Sequence, residues 1–246
     1  MKTLSQKVIL VTGASRGIGA AMAHQLAAAG AKVIINYANG KQAAEDTVNS
    51  IQQQGGEAIA IQADVSKSTD VAELFDSAIA HYGKIDVLVN NAGIMTTKLL
   101  KDTTDDDFTL QFDINVRGTF NTMREAATKL TEKGSIINFS STTTRLTMPT
   151  YGTYVATKAA VEQLTRVFAK EIGFRGINVN SVSPGPTNTE LFTKGKPAEV
   201  IDRLASLSAF NRIGEPDDIA KIVVFLAGDD AKWISAQNIG INGGMA

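Results

Sequence analysis

The chain has no cysteine among its 246 residues. Disulfides, thiolate nucleophiles and zinc sites built on sulfur are thereby excluded. Imidazole is nearly as scarce. His24 and His81 are the only two, and both fall in stretches that read as helix, as surface or partly buried side chains. A catalytic metal would have to rest on carboxylates, and no clustered set of them occurs, so no metal is expected. Aromatic residues make up 6% of the chain, too few for base-stacking platforms. Neither sign of charge dominates: a net charge of −1 offers no basic face to nucleic acid or anionic lipid. Five prolines against 21 glycines favour tight turns over a disordered proline-rich segment. No apolar run approaches the ~20 residues that cross a bilayer. The chain reaches its first apolar run at Val8 without the long apolar stretch of a secretory signal. A cytoplasmic protein with no nucleic-acid or membrane partner is the expectation.

What the chain has is alternation. Short apolar runs at Val8–Thr12, Lys32–Asn36, Ala58–Gln62, Val87–Asn90, Ser135–Phe139, Asn178–Val182 and Asn238–Ile241 read as strands. Their apolar residues show little strict period-two spacing, which suits strands buried on both faces. Between them lie helix-period stretches such as Gly17–Ala29, Gln42–Gln54, Thr69–Tyr82 and Tyr151–Phe174. Strand–helix alternation implies right-handed βαβ crossovers and a parallel sheet. Gly30 and the Gly55-Gly56 pair follow the first two helices, where a left-handed cap is wanted. With no linker, repeat or low-complexity block, residues 1–246 read as a single doubly wound, Rossmann-type α/β domain. It should hold seven parallel strands with helices on both faces. Residues 187–208 are longer than a crossover needs and read as a small helical flap over the ligand crevice.

After the first strand comes Thr12-Gly13-Ala14-Ser15-Arg16-Gly17-Ile18-Gly19, then a helix-forming run. Glycines let the backbone turn sharply and approach a pyrophosphate, which the helix N-terminus then binds. Gly13, Ser15, Arg16, Gly17, Ile18 and Gly19 are therefore candidate cofactor contacts, against the plainer reading of a strand-to-helix turn. An acid at the end of the second strand would bind a free ribose 2′-OH and repel a 2′-phosphate. The chain has Asn36-Tyr37-Ala38-Asn39 there, without an acid, and Arg16 in the turn can pair with a phosphate. Both features favour NADPH over NADH. Asp64-Val65, after the third strand, is a candidate adenine contact, although Asp64, Ser66 or Ser68 could equally cap the next helix. Asn90-Asn91-Ala92-Gly93 closes the fourth strand at the sheet's ligand-binding end; Asn91, Ala92 and Gly93 are further candidates.

Tyr154 and Lys158 stand four residues apart in a helical stretch and so share one face. A free Tyr has a pKa of about 10, and a neighbouring ammonium is expected to lower it toward a working acid–base group. A solvated helix face is the plain alternative for that pair taken alone. Ser141, just past the fifth strand, offers a hydroxyl to a substrate carbonyl, with Ser140 as its adjacent rival.

With these motifs the chain resembles the short-chain dehydrogenase/reductase family over essentially its whole length. The shared features are the T-G-x-x-x-G-x-G turn, N-N-A-G, a Ser thirteen residues before the Tyr, Y-x-x-x-K, and P-G at Pro184-Gly185. The Ser-to-Tyr spacing selects Ser141. The resemblance implies a fourth catalytic member, Asn115 in Asn115-Val116-Arg117-Gly118, holding a water that links Lys158 to solvent. It implies that Tyr154 is the general acid in reduction and that Ser141 polarises the carbonyl. Lys158 would lower the Tyr pKa and hold the nicotinamide ribose. Pro184, Gly185, Thr187 and Thr189 would lie at the nicotinamide, with pro-S hydride transfer, and N-Y-A-N is similar to members that use NADPH. A homotetramer is also implied. One departure stands out: Ala236 occupies a position before Gln237 where the family usually has Gly.

The expected activity is therefore NADPH-dependent reduction of a ketone or aldehyde. The alternatives are NADP-dependent oxidation of an alcohol or sugar by the same site, and a cofactor-binding sensor without turnover. Substrate contacts are expected from Ser141, Thr143, Tyr151, Leu191 and Phe192. A wider lining is drawn from Ile94-Met95, residues 142–150, Leu204 and Leu207, with Arg145 nearby. Such a lining suits a medium-sized or bulky carbonyl compound, whether a 3-oxoacyl thioester or a cyclic or aryl ketone.

Overall fold

The computed structural model describes residues 3–246. Seven strands form one sheet: β1 (Val8–Val11), β2 (Lys32–Tyr37), β3 (Glu57–Gln62), β4 (Val87–Asn90), β5 (Ser135–Phe139), β6 (Asn178–Pro184) and β7 (Asn238–Ile241). Their order is β3-β2-β1-β4-β5-β6-β7, and every pairing is parallel. The central strands β1, β4 and β5 are buried along their whole length, which is why their sequences are continuous apolar runs. The edge strands β3 and β7 are mostly half-buried or exposed.

The order reverses between β1 and β4, so a crevice opens at the carboxyl ends of those two strands. One face of the sheet is covered by α1 (Gly17–Ala28), α2 (Lys41–Gln53) and, from later in the chain, α10 (Pro216–Ala227). Met22 and Leu26 of α1 meet Ile219 and Val223 of α10 in one buried cluster. The other face carries α3 (Ser68–Tyr82), α5 (Gly118–Lys129) and α7 (Gly152–Ile172), packed on Leu10, Leu88 and Ile136. Each such large side chain contributes about 1.5–3 kcal/mol when fully buried. Before α5, α4 (Asp105–Phe112) runs into a π-helical turn at Asp113–Arg117.

Residues 187–208 do contain two short helices, α8 (Glu190–Thr193) and α9 (Ala198–Ala205), separated from the short α6 (Thr143–Leu146) by α7 and β6. Gly30 and Gly55 take the left-handed conformation expected of helix-ending glycines. The same region of backbone space explains the family's usual glycine near the last strand. Ala236 has φ +60°, and its N–H is committed to the Val179 carbonyl at 2.8 Å. Among the described residues no helix is long and apolar enough to cross a membrane.

Candidate active site

The glycine turn is fitted to its neighbours so closely that side chains are shut out. Gly13 has φ +61°, and a Cβ there would lie 2.8 Å from the Ala92 Cα. A Cβ on Gly19 would overlap the Gly13 carbonyl and lie 2.8 Å from the Ala14 Cα. Asn91 fastens the turn, its amide donating to the Thr12 and Gly13 carbonyls at 2.9 and 3.0 Å. Thr12, a motif residue not put forward as a contact, accepts the Asn91 and Ala92 N–H groups on its hydroxyl. No side chain caps α1. Its first amides are therefore left for an anion, and a pyrophosphate fits both their charge and the bare backbone beside them.

Asn36 and Tyr37 correct an expectation. β2 is covered on both faces, by α1 and α2 on one and α3 on the other, so its side chains enter the core up to the strand's end. Asn36, 1% exposed, accepts from the Gly13 N–H and donates to the Ile61 and Ala63 carbonyls; it braces the glycine turn instead of facing the crevice. Tyr37 is buried in the same cluster as Ala44 and Ile51 of α2. Only Ala38 and Asn39 of the four remain exposed. Arg16 is exposed and its guanidinium lies 3.6 Å from Glu190 of α8, joining the turn to the flap.

Asp64 caps no helix. Its Oδ1 accepts from the Ser66 N–H and hydroxyl in a local turn, and α3 starts after Lys67 without a capping side chain. Val65 points its side chain into the core over Gly118. Thr187 and Thr189 follow the Pro184-Gly185 pair, and Thr189 lies beside Gly17, its Cγ2 3.5 Å from where a Cβ would be.

Ser141, Tyr154 and Lys158 share the wall of one cleft of about 150 Å³, together with Gly93, Thr187 and Thr189. Ser141 follows the end of β5 by two residues, is 8% exposed, and accepts from the Thr143 hydroxyl at 2.8 Å and the Thr143 N–H at 3.3 Å. With both of those bonds accepted, its own proton is free to point outward, into the cleft that Tyr154 also lines. Lys158 is buried, donates to the Phe139 carbonyl at 2.9 Å, and stands 5.7 Å from the centre of the Tyr154 ring.

Burial pushes the Tyr154 phenol up to about 12, partly offset by the Ser141 hydrogen bond. That is opposite to the lowering expected from Lys158. The ammonium is turned toward a carbonyl and does not touch the phenol oxygen, so desolvation wins. The same desolvation lowers Lys158 to about 8. Asn115 is not on the cleft wall. It sits in the π-helical turn, 1% exposed, with its amide bonded to both backbone groups of Ile94 and to the Thr157 hydroxyl. Gly93 lies between Asn115 and Lys158, a Cβ there falling 3.2 Å from Asn115 Oδ1 and 3.4 Å from Lys158 Nζ.

Thr143, Tyr151, Leu191 and Phe192 line the cleft, as do Met95, Leu146, Met148 and Leu204. Thr144, Arg145, Thr147, Pro149, Thr150 and Leu207 do not; Leu207 is half exposed and outside the cleft. Phe139 and Pro186 were missed as wall residues, and nothing in local spacing marks them.

Residues 13–246 match a family model described as "Enoyl-(Acyl carrier protein) reductase". The chain is 43% identical over 253 residues to versicolorin reductase of Emericella nidulans, covering 98% of this chain and 96% of that one. It is 42% identical over 252 residues to a probable tetrahydroxynaphthalene reductase of Zymoseptoria tritici, covering 98% and 94%. Among solved structures, the angucycline C-6 ketoreductase LanV with bound NADP superposes with a TM-score of 0.94 at 38% identity, covering 99% and 96%. The chain belongs to the short-chain dehydrogenase/reductase family. As a member it is an oxidoreductase acting on carbonyl or alcohol groups, built on a Rossmann-like sheet.

Proposed function

We propose that the whole chain acts as one cytoplasmic oxidoreductase unit that reduces a ketone or aldehyde with NADPH, Tyr154 serving as general acid. The observation that supports this most is the meeting of Ser141, Tyr154 and Lys158 on one cleft wall beside the bare glycine turn. Gly13 to Gly19 and the α1 amides would hold the pyrophosphate, Gly93, Thr187 and Thr189 the nicotinamide end, and Asp64 the adenine. Arg16, with Ala38 and Asn39 exposed and no acid among them, supports the 2′-phosphate. The bound cofactor supplies a hydride to the carbonyl carbon.

The chain's own groups handle the oxygen. Ser141 directs its proton to the carbonyl oxygen, since both Thr143 donors already occupy its lone pairs. Tyr154 then delivers its proton to that oxygen. A phenol raised to about 12 is fully protonated at neutral pH, which is the form reduction needs. The phenolate left behind is stabilised by the Lys158 ammonium, which also holds the ribose, and Asn115 supports resupply of the proton.

The cleft wall is mainly apolar, its polar groups being Asn91, Lys158 and the hydroxyls of serine, threonine and tyrosine residues that include Ser141 and Tyr154. Together with relatives named for versicolorin, tetrahydroxynaphthalene and angucycline, it supports a cyclic or aryl ketone as substrate. A second copy of the chain is the proposed partner, in a homotetramer. Exposed Phe108, Leu110, Phe120 and Val167 on α4, α5 and α7, and the fully exposed Trp233 before β7, support it. A monomer in light scattering at micromolar concentration would contradict that assembly.

The test of the activity is consumption of NADPH and NADH against tetralone, a cyclic diketone, a quinone, ethyl acetoacetate, an acetoacetyl thioester and an enoyl thioester. NADPH-selective reduction of a cyclic or aryl ketone is expected. Preference for the enoyl thioester, or no carbonyl turnover with NADPH bound, would overturn it.

A further inference from the structure

We propose that Glu162 is a positioning residue for Ser141, a third functional member of α7 one turn beyond Lys158. The inference rests on the carbonyl reduction proposed above. Tyr154, Lys158 and Glu162 stand at i, i+4 and i+8 of α7 and share one face of the helix. Glu162 is largely buried, its side chain 13% exposed. A single carboxylate oxygen, Oε1, accepts from the Ser140 hydroxyl at 2.6 Å and from the Thr144 hydroxyl at 2.9 Å. These two residues bracket the segment 141–143 that carries both Ser141 and the threonine bonded to it.

Something must fix that segment. β5 ends at Phe139, and beyond it the Ser140 and Thr142 N–H groups and the Thr142 hydroxyl hold the chain to β6, while Ser141 itself makes no bond to that strand among the described residues. Tyr154 belongs to a different element, reached through the loop at 147–151. The Ser141-to-Tyr154 geometry is therefore not set by sheet pairing. Glu162 joins the two elements directly, and the Ser140 hydroxyl reinforces the joint by lying 3.5 Å from the Lys158 carbonyl.

Solubility or ion pairing does not account for the carboxylate. Its partner Arg166 is half exposed and 4.0 Å away, too loose a pair to offset burial. An apolar side chain would cover the same helix face without a desolvation cost. What the carboxylate adds is one fixed acceptor for two hydroxyls on either side of Ser141.

The test uses the full chain with NADPH, and tetralone and ethyl acetoacetate as probes. Glu162→Ala should lower kcat by about 10- to 100-fold, the scale of a misplaced reacting group, with the NADPH Kd from fluorescence titration within about twofold. Glu162→Gln keeps the Oε1 acceptor and should recover most of the lost rate, with the wild-type pH profile, since the role is geometric. In a Ser141→Ala background, Glu162→Ala should cost nothing further, because the group it positions is gone. If Glu162→Ala fails to fold, Ser140→Ala and Thr144→Val each remove one arm, and each should lower kcat while sparing NADPH binding. A wild-type kcat in Glu162→Ala, an additive loss on Ser141→Ala, or Glu162→Gln as slow as Glu162→Ala would overturn the proposal. Tyr154→Phe runs alongside. Full activity there defeats the proposed reaction itself, whereas an inactive Tyr154→Phe beside an undiminished Glu162→Ala defeats only the positioning role.

Discussion

The wall of the cleft formed by the glycine turn and the wall formed by the flap obey different constraints. At the turn, backbone meets backbone: Gly13 against Ala92, Gly19 against Gly13 and Ala14, with Asn91 and Thr12 closing every gap. In the flap only Leu204 and Ser208 of residues 190–208 are buried, and Leu191 and Leu207 are at least half exposed. On the proposed function, the cofactor, common to many enzymes, would meet rigid backbone, and the substrate, peculiar to one, would meet side chains on short helices. Substitutions at the turn should therefore act on fold and cofactor together, and substitutions in the flap on substrate alone.

The contrast is sharpest at Gly19. Gly19→Ala forces a methyl against the Gly13 carbonyl, so it should cost about 1–3 kcal/mol and weaken NADPH binding about 10- to 100-fold. Calorimetry and fluorescence titration would check both, and a stable variant with normal affinity would break the comparison. Arg16→Ala should raise the NADPH KM about 10-fold, as loss of a charged hydrogen bond does, and leave that for NADH unchanged. Within the stretch Asn36 to Asn39, Tyr37 is a poor probe because it is buried, and Ala38→Asp places the repelling charge at an exposed position instead. Phe192→Ala in the flap should raise the ketone KM up to about 10-fold with NADPH affinity and melting temperature unmoved. A parallel loss of cofactor binding would show that the flap is part of the rigid wall.

The pH dependence belongs to the floor between the walls. Tyr154, pushed up to about 12, stays protonated and contributes no change near neutrality. Lys158, lowered to about 8, is charged below that value and neutral above it. Reduction should hold level at and below neutral pH and fall as pH rises through about 8, measured as kcat. A rate that climbs through this range would contradict the role given to the Lys158 ammonium. The smallest effect is expected away from both walls. Ala236→Gly relieves a left-handed alanine and should add about 1 kcal/mol of stability without altering kcat.

The division between the walls also decides what the sequence could disclose. Glycines at 13, 17 and 19 follow a strand and open a helix because a Cβ is shut out at 13 and 19 and the backbone is left-handed at 13 and 17, so the turn is legible from spacing alone. Tyr154 and Lys158 are legible because helical periodicity puts them on one face. Glu162 lies on that same face, but its partners Ser140 and Thr144 come from another element, and no spacing rule joins them. Asn36 misled for a related reason: it stands at the right point in the chain, yet both faces of its strand are covered by helices and its side chain is buried. Arg145 sits next to Leu146 and Leu207 three residues after Leu204, yet neither is on the wall, because short helices and loops have no period long enough to orient them.

The account's central claim is that Tyr154 supplies the proton for an NADPH-dependent carbonyl reduction. The most direct test is NADPH consumption by Tyr154→Phe and wild type with the same cyclic ketone, beside NADPH titrations of both. The account predicts a kcat loss of about 10²- to 10⁴-fold, the contribution of a positioned acid, with NADPH affinity nearly unchanged. Turnover by Tyr154→Phe at the wild-type rate would contradict it.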